Sequence, residues 1–548
     1  MNYKLFIYYF ILFINLFFNT ILKIIETSSK NTIEGRIRIT SKNTWIIETE
    51  NFSEDYNYIA TAYYESTLLE TGWDTFAITT NNLFSDEIQA EAAGRLEASL
   101  TKDHIYNHYL NAKSSNGDID ENVINFFKNQ EDYLINKYKE NPNDVYYYNA
   151  YLLYKQFYGL RDQYNKEVSD EKKIDEMKFN IINSFGDIFD IKSHFNIPNF
   201  KNMTTKELIN YTHINTHCSA LYKLTDDLSD IYFGHNSWYY YTMMSKMFKE
   251  YNLNFNHPSI KAKNIMFSSY PGSLVSNDDF YITSQDLSII ETTNANYNSE
   301  SYKLITHESL LCWQRVQIAN RMSTSSEEWV NNFAKYNSGT YNNMYMALDM
   351  KKFIVEKKTL LNDALYIIEQ MPNMIKINDV TNIFKFGYWP SYNVPFDKEI
   401  SEYAQIPQTL KEHPEMKSEI DYDLCARAKI FRRNQSEIKN FDDFKNIMRY
   451  NNYLDDEYSE GDPMLTISSR GDIKEYYCGG AFDAKAAKIS DLKGKEKKIY
   501  LVGGPTYNDK IEAFKWKESK ICEGLSWEGL SNEAKFDWIV YTNKFQDV

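Results

Sequence analysis

The sequence predicts an α+β layered fold, and three observations predict it. Residues from about 82 to 217 carry helical periodicity. From Cys218 onward, strand-like runs joined by short polar turns multiply, with helical stretches between them. The chain has 548 residues, 43% hydrophobic and 16% aromatic, which is enough material for a large core. Strands and helices mixed in this way point to packed layers of both. There is no internal repeat and no long low-complexity linker, and with 11 prolines and 19 glycines the boundaries are poorly marked.

The elements follow in order. The N-terminus, "MNYKLFIYYFILFINLFFNTILKIIETSSK", has a basic Lys4 and an apolar run from Leu5 to Phe18. This is the form of a secretory signal peptide, taken as residues 1–25. An uncleaved anchor is the rival reading, weakened by Asn15, Asn19 and Thr20. "GRIRITSKNTWIIETE" and "GWDTFAITT" read as strands. "FSDEIQAEAAGRLEASLT" places Ile88, Ala92, Leu96 and Leu100 on one helical face, with Ser85 as the expected cap and Asp86 and Glu87 at the positive end of the helix dipole. "DENVINFFKNQEDYLINKYKENP" is a second helix stopping at Pro142, and "DVYYYNAYLLYKQFYGLRDQYNKEV" a third. "CSALYKL" and "DIYFGHNSW", joined by "TDDLS", form a hairpin. "DDFYITSQDLSIIETTN" is another, turning near Ser284 to Asp286. Helices follow in "HESLLCWQRVQIANRM" and in "SSEEWVNNFAKYN", capped by Ser325 or Ser326, and "KKIYLVGGP" is a late strand.

Charge and cysteine usage narrow the function. Lys+Arg of 60 against Asp+Glu of 76 gives a net charge of −16, which argues against a nucleic-acid partner. Secretion permits disulfides. Five cysteines leave at least one thiol outside a pair. If that one is Cys218, then Cys312, Cys425, Cys478 and Cys522 allow three full pairings; the pair put forward is Cys478–Cys522, with all four reduced and buried as the other reading. Secretion also gives meaning to the N-x-S/T tripeptides at Asn51, Asn202, Asn210 and Asn434 as glycosylation sites.

Most signatures of chemistry are missing. There is no G-x-S-x-G elbow, no Walker A and no dinucleotide glycine pattern. His307-Glu308 lacks the second histidine of a zincin helix, and no C-x-x-C pair exists, so no metal and no cofactor is expected. Arg470-Gly471-Asp472 reads as a turn. Cys218 stands out, because it heads a strand. A thiol nucleophile needs a base or a lowered pKa. Its own α-amine, which titrates near ~8, would serve if the chain were cut between His217 and Cys218. A small buried thiol is the plainer alternative.

The motifs "SDEIQAEAAGRLEASLT", "HCSALYKL", "FGHNSW", "FSSYPGSLVSNDDFYI", "ETT", "NSGTYNNMYMALD", "GYWPSYNVPF", "RAKIFRR", "MRYNNY" and "ISSRGD" follow one another from about residue 35 to the C-terminus. In this order the chain resembles the phospholipase B-like proteins, members of the N-terminal nucleophile hydrolases. The resemblance implies an αββα four-layer sandwich and self-cleavage before Cys218. An N-terminal fragment (26–217) and a C-terminal fragment (218–548) would then share one folded unit. It makes Cys218 the nucleophile and, through its freed amine, the base. His235 and Asn393 match the oxyanion-stabilising positions, Trp238 and Thr293 the pocket, and Arg427 a buried guanidinium near the nucleophile. One departure is Ala426, where the family commonly has Pro. The activity implied is that of a secreted or lysosomal acyl hydrolase. It would remove fatty acyl chains from glycerophospholipids through a thioester, with transient contact at a membrane surface. An amidase acting on a lipid amide or peptide-like substrate, and a non-enzymatic lipid-binding glycoprotein, are the alternatives.

Overall fold

The computed structural model describes residues 32–216 and 218–546. The signal peptide expected over 1–25, and His217 on the upstream side of the expected cut, lie outside the described residues. The fold is α+β and rests on two sheets. The larger has eleven strands among the described residues, in the order Met374–Asp379, Leu365–Met371, Asn343–Asp349, Leu287–Thr293, Phe280–Thr283, Asn264–Ser269, Met247–Asn252, Asp74–Thr80, Ala60–Glu65, Thr32–Ile39 and Trp45–Glu48. All pairings are antiparallel except Asp74–Thr80 with Met247–Asn252. The smaller sheet runs Tyr388–Ser391, Ser219–Leu224, Ile231–Asn236, Asp483–Lys488, Lys498–Gly503 and Ile539–Thr542.

The central strands are covered on both faces. Leu287–Thr293 and Asn343–Asp349 are buried at every position, so neither shows the in–out alternation of a half-exposed strand. The edge strand Met374–Asp379 is half-exposed and carries Lys376 and Asp379, charges that blunt further pairing. Between the sheets lies a core that includes Trp73, Tyr222, Phe233, Phe248, Phe280 and Ile290. Phe233 of the smaller sheet stacks on Phe280 of the larger with ring centroids 5.7 Å apart. The Tyr222 hydroxyl reaches Ser288 Oγ across the same gap at 2.7 Å.

Helices cover the outer faces. Helix Asp86–Asn116 packs on the larger sheet, and helix Val145–Glu167 packs on that helix. Their backbones touch because glycines stand at the crossing. A Cβ on Gly94 would lie 1.9 Å from the Gln156 carbonyl oxygen, and one on Gly159 2.3 Å from that of Glu91. Helix Asp86–Asn116 is anchored below by a fully buried Glu97–Lys249 ion pair of 2.6 Å. Helix Phe441–Met448 covers the smaller sheet.

The hairpins expected at Cys218–Trp238 and at Asp278–Asn294 are present. The second helix ends at Glu140, short of Pro142, and Asp120 caps it. Ser325 caps helix Ser326–Phe333 by accepting from the Glu328 N–H. Ser85 occupies the N-cap position but makes no side-chain cap bond. The adjacent carboxylate of Asp86 instead accepts from the Asn256 and His257 N–H groups, tying the helix start to a loop. The single apolar face read for this helix is also too narrow. Ile88 is only half-buried, while Ala90, Ala93 and Ala98 are buried, because the helix is sandwiched between sheet and neighbour.

Cys478 and Cys522 form a disulfide, and Cys218, Cys312 and Cys425 are free and buried. Arg470 is 3% exposed and paired with Asp472 at 2.7 Å, so this tripeptide is a closed turn rather than an adhesion loop. Among the described residues, no helix is long and apolar enough to cross a membrane.

Candidate active site

Cys218 immediately precedes strand Ser219–Leu224, an inner strand of the smaller sheet. Its φ is +85°, a region that a side chain with a Cβ enters at a cost of about 1–3 kcal/mol. The neighbours hold it there. Arg427 Nη1 donates to the Cys218 carbonyl at 2.8 Å and reaches Ser219 Oγ at 3.3 Å. The Ser219 N–H donates to Asn236 Oδ1 at 3.0 Å. That same oxygen accepts from Trp238 Nε1 at 2.8 Å, and Asn236 Nδ2 donates to the carbonyls of Met448 and Ile467. Asn236 therefore pins strand Ser219–Leu224 and the indole together.

Arg427 is the second residue of helix Ala426–Asn434, and its guanidinium lies 4.4 Å from the centre of the Trp238 ring. Ala426 is the first helical residue, a position where Pro is tolerated because its missing N–H is not needed. The Pro-to-Ala departure thus leaves the start of the helix, and Arg427, in place. The guanidinium grips the Cys218 carbonyl, so in this structure it acts on backbone geometry.

His235 sits on strand Ile231–Asn236, opposite Ala220 on one side and Lys485 on the other. It is fully buried, neither ring nitrogen has a side-chain partner, and the Glu291 backbone lies beside the ring. Donor atoms of Cys218, His235 and Glu291 all lie within 4.8 Å of one another. Glu291 comes from the larger sheet, so the site forms where the two sheets meet. Sequence reasoning took Thr293 from "ETT" and passed over Glu291 two residues earlier. A lone acid in the otherwise uncharged strand "LSIIETT" was the available signal. These three are also the one His, Cys, Asp and Glu grouping among the described residues able to hold a metal ion.

Beneath them lies a buried charge cluster that was also missed. Lys485 pairs with Asp483 at 2.9 Å and Asp278 at 3.4 Å, and Lys246 pairs with Asp483 at 3.1 Å and with Asp278. Ser237 joins it, donating its N–H to Asp483 and accepting from Lys485 at its hydroxyl. The electrostatics follow. Burial, then the field of Glu291, pushes the Cys218 thiol well above its usual pKa. Burial and Lys485 hold His235 neutral. Burial, then Asp279, pushes the Glu291 carboxyl well above the usual carboxylate range. All three shifts favour the uncharged forms of Cys218, His235 and Glu291.

Cys218, Trp238 and Thr293 line a cavity with an aromatic wall that includes Phe185, Tyr239 and Tyr270. It is narrow, with about 50 Å³ open to the centre of a water molecule, and Tyr211, Asn215 and Thr216 close part of it. His235, Asn393 and Arg427 do not line it, and Arg427 instead lines a small neighbouring cavity that shares Trp238 and Thr216. Asn393, at φ +69°, donates from Nδ2 to the Thr293 carbonyl at 2.6 Å. Of the N-x-S/T asparagines, Asn51, Asn202 and Asn210 are exposed, while Asn434 is half-buried and accepts from Arg433.

Comparison with known proteins gives a consistent result. A family model described as Phospholipase B matches residues 60–541. Phospholipase B-like 1 of Rattus norvegicus is 37% identical over 491 residues, covering 88% of this chain and 87% of the rat protein. Phospholipase B-like protein B of Dictyostelium discoideum is 35% identical over 506 residues, 89% of this chain and 86% of its own. Phospholipase B of Crotalus adamanteus is 35% identical over 500 residues, 88% of each chain.

Proposed function

This chain belongs to the phospholipase B family, and from that premise we propose that it is an acyl hydrolase that releases fatty acids from glycerophospholipids after cutting itself before Cys218. The observation that carries this reading is the nucleophile's setting. Cys218 is a strained residue heading a rigid strand, with its thiol at a cavity and beside His235 and Glu291. The two sheets with helices outside support an αββα four-layer architecture of the N-terminal nucleophile type, with fragments 26–217 and 218–548 in one unit.

In the uncut chain the Cys218 nitrogen is a peptide nitrogen and cannot act as a base. Cleavage would free an α-amine that titrates near ~8, within reach of its own thiol. That amine takes the thiol proton and the sulfur attacks the ester carbonyl. Negative charge on the carbonyl oxygen is met by N–H donors, here His235 and the Asn393 amide. The alcohol leaves with the proton held by the amine, and water then resolves the thioester to free acid. Trp238 and Thr293 line the acyl side of the pocket. A disulfide between Cys478 and Cys522 and three exposed N-x-S/T asparagines support a secreted or lysosomal setting.

The test is release of fatty acid from phosphatidylcholine vesicles by the processed protein, compared with release from an N-acyl amide of the same chain length. Ester hydrolysis lost in Cys218→Ala supports the proposal. Faster amide hydrolysis makes the protein an amidase, and no hydrolysis of either leaves a lipid-binding scaffold.

A further inference from the structure

We propose that the side chain of Glu291 is the proton shuttle for the self-cleavage step, the one step in which the α-amine of Cys218 is not yet available. The inference rests on the self-cleavage reading above and supplies the group that reading lacks. Donor atoms of Cys218, His235 and Glu291 converge within 4.8 Å, all three residues are buried, and Glu291 Oε1 makes no well-formed hydrogen bond, with the Thr293 and Asn343 side chains beside the carboxyl. The other carboxyl oxygen lies 3.3 Å from the Tyr341 hydroxyl, whose one proton is shared with Asp279 at 2.8 Å.

His235 is the other candidate. As a simple base its ring would become a cation, which burial and Lys485 oppose, and as a neutral relay its two ring nitrogens point away from each other. A carboxyl group avoids both difficulties, because it can accept at one oxygen while donating from the other on the same side. Burial and the neighbouring Asp279 favour the protonated Glu291 that this exchange needs.

The step balances as follows. The Cys218 sulfur bonds to the carbonyl carbon of residue 217, and the bond from that carbon to the Cys218 nitrogen breaks. The thiol proton passes to the free oxygen of Glu291, and the proton on its other oxygen passes to the departing nitrogen. The carboxyl ends neutral, the nitrogen ends as an amine, and no net charge forms in the buried site. Water then adds hydroxyl to the acyl carbon and returns a proton to sulfur. Once the amine is free it lies nearer the thiol than Glu291 does, so the shuttle belongs to maturation.

The experiment follows conversion of the full chain to its two fragments over time in wild type, Glu291→Gln and Glu291→Asp. An amide of the same shape cannot exchange the protons, so Glu291→Gln should convert about 10²- to 10⁴-fold more slowly. Glu291→Asp should convert at an intermediate rate, with a shifted pH–rate profile. The charged groups facing the site, Lys246, Lys485, Asp278, Asp279 and Asp483, are unchanged in all three, so a shift belongs to the replaced carboxyl. A purely structural role would slow conversion without moving the profile, and would overturn the shuttle. Conversion of a folded Glu291→Gln chain at the wild-type rate would also overturn it. If Glu291→Gln fails to fold, the Glu291→Asp profile decides alone. An uncut wild-type chain would instead defeat the self-cleavage reading itself.

Discussion

Arg427 Nη1 donates to the carbonyl oxygen of Cys218 at 2.8 Å, joining the start of one helix to the residue that heads the nucleophile strand. This bond, with Ser219 to Asn236, holds Cys218 at a positive φ. A hydrogen bond to a charged donor contributes about 1.5–3 kcal/mol. Arg427→Ala is therefore expected to slow appearance of the two fragments roughly 10- to 100-fold. Arg427→Lys, which keeps the charge on a shorter side chain without the planar fork, should fall between. Timed gels of freshly made chain measure both, and an unchanged rate in Arg427→Ala would remove the guanidinium from the account.

Asn236 uses its amide on four partners, Ser219, Trp238, Met448 and Ile467. Asn236→Ala leaves all four buried without a replacement. At about 1–3 kcal/mol for each unsatisfied group, discounted for relaxation, the loss should reach at least ~3 kcal/mol. Denaturant unfolding of the variant against wild type reads this directly. A loss below about 1 kcal/mol would mean that water replaces the amide.

Lys485 is fully buried between Asp483 and Asp278, and Lys246 is the only other lysine paired with either carboxylate among the described residues. Lys485→Met removes one of two positive charges and should cost about 3–5 kcal/mol, the range for breaking a buried pair. Lys485→Met with Asp483→Asn should recover part of that, since the stranded charge is then removed. No recovery in the double variant would show that packing, not charge, sets the loss.

Acids whose carboxyls are raised set the pH response, Glu291 among them. Burial pushes Asp187 up to about 6 and Asp190, Asp279 and Glu369 up to about 7. Between their unfolded values near ~4 and these folded values, the folded chain holds more protons, so stability rises as pH falls. His108, pushed down to about 3, and His235, also lowered, act in the opposite sense below ~6.5. The lowered Asp278 loses its contribution only below ~3.8, outside this window. The acids outnumber the histidines, so Tm should be higher near about pH 5.5 than near about pH 7.5. A Tm that falls over that interval would contradict these assignments.

The parts of the fold set by neighbours in sequence were legible. The hairpin through Ser219–Asn236 announces itself by "TDDLS" between two apolar runs, and the helix ending at Glu140 by the following Pro142. The helix from Asp86 was legible in type but not in burial, because its second packing partner, Val145–Glu167, is distant in sequence. The same limit applies to the site. Cys218 stood out by itself at the head of a strand. His235, Trp238, Thr293, Asn393 and Arg427 entered through resemblance rather than through local pattern. Glu291, Lys485 and Asp278 gain their roles only when the two sheets close on each other, and Asn236 only when Met448 and Ile467 pack on its hairpin. Each looks, in the sequence alone, like an ordinary polar residue in or beside a strand.

The most direct test of the account is the N-terminal sequence of each fragment from the purified protein. The account predicts two fragments held in one folded unit, with the larger beginning Cys218-Ser219-Ala220, and an uncut chain in Cys218→Ala. A wild-type chain recovered intact through residues 216–219 and active on phospholipid, or a Cys218→Ala chain cut at the same bond, would contradict it.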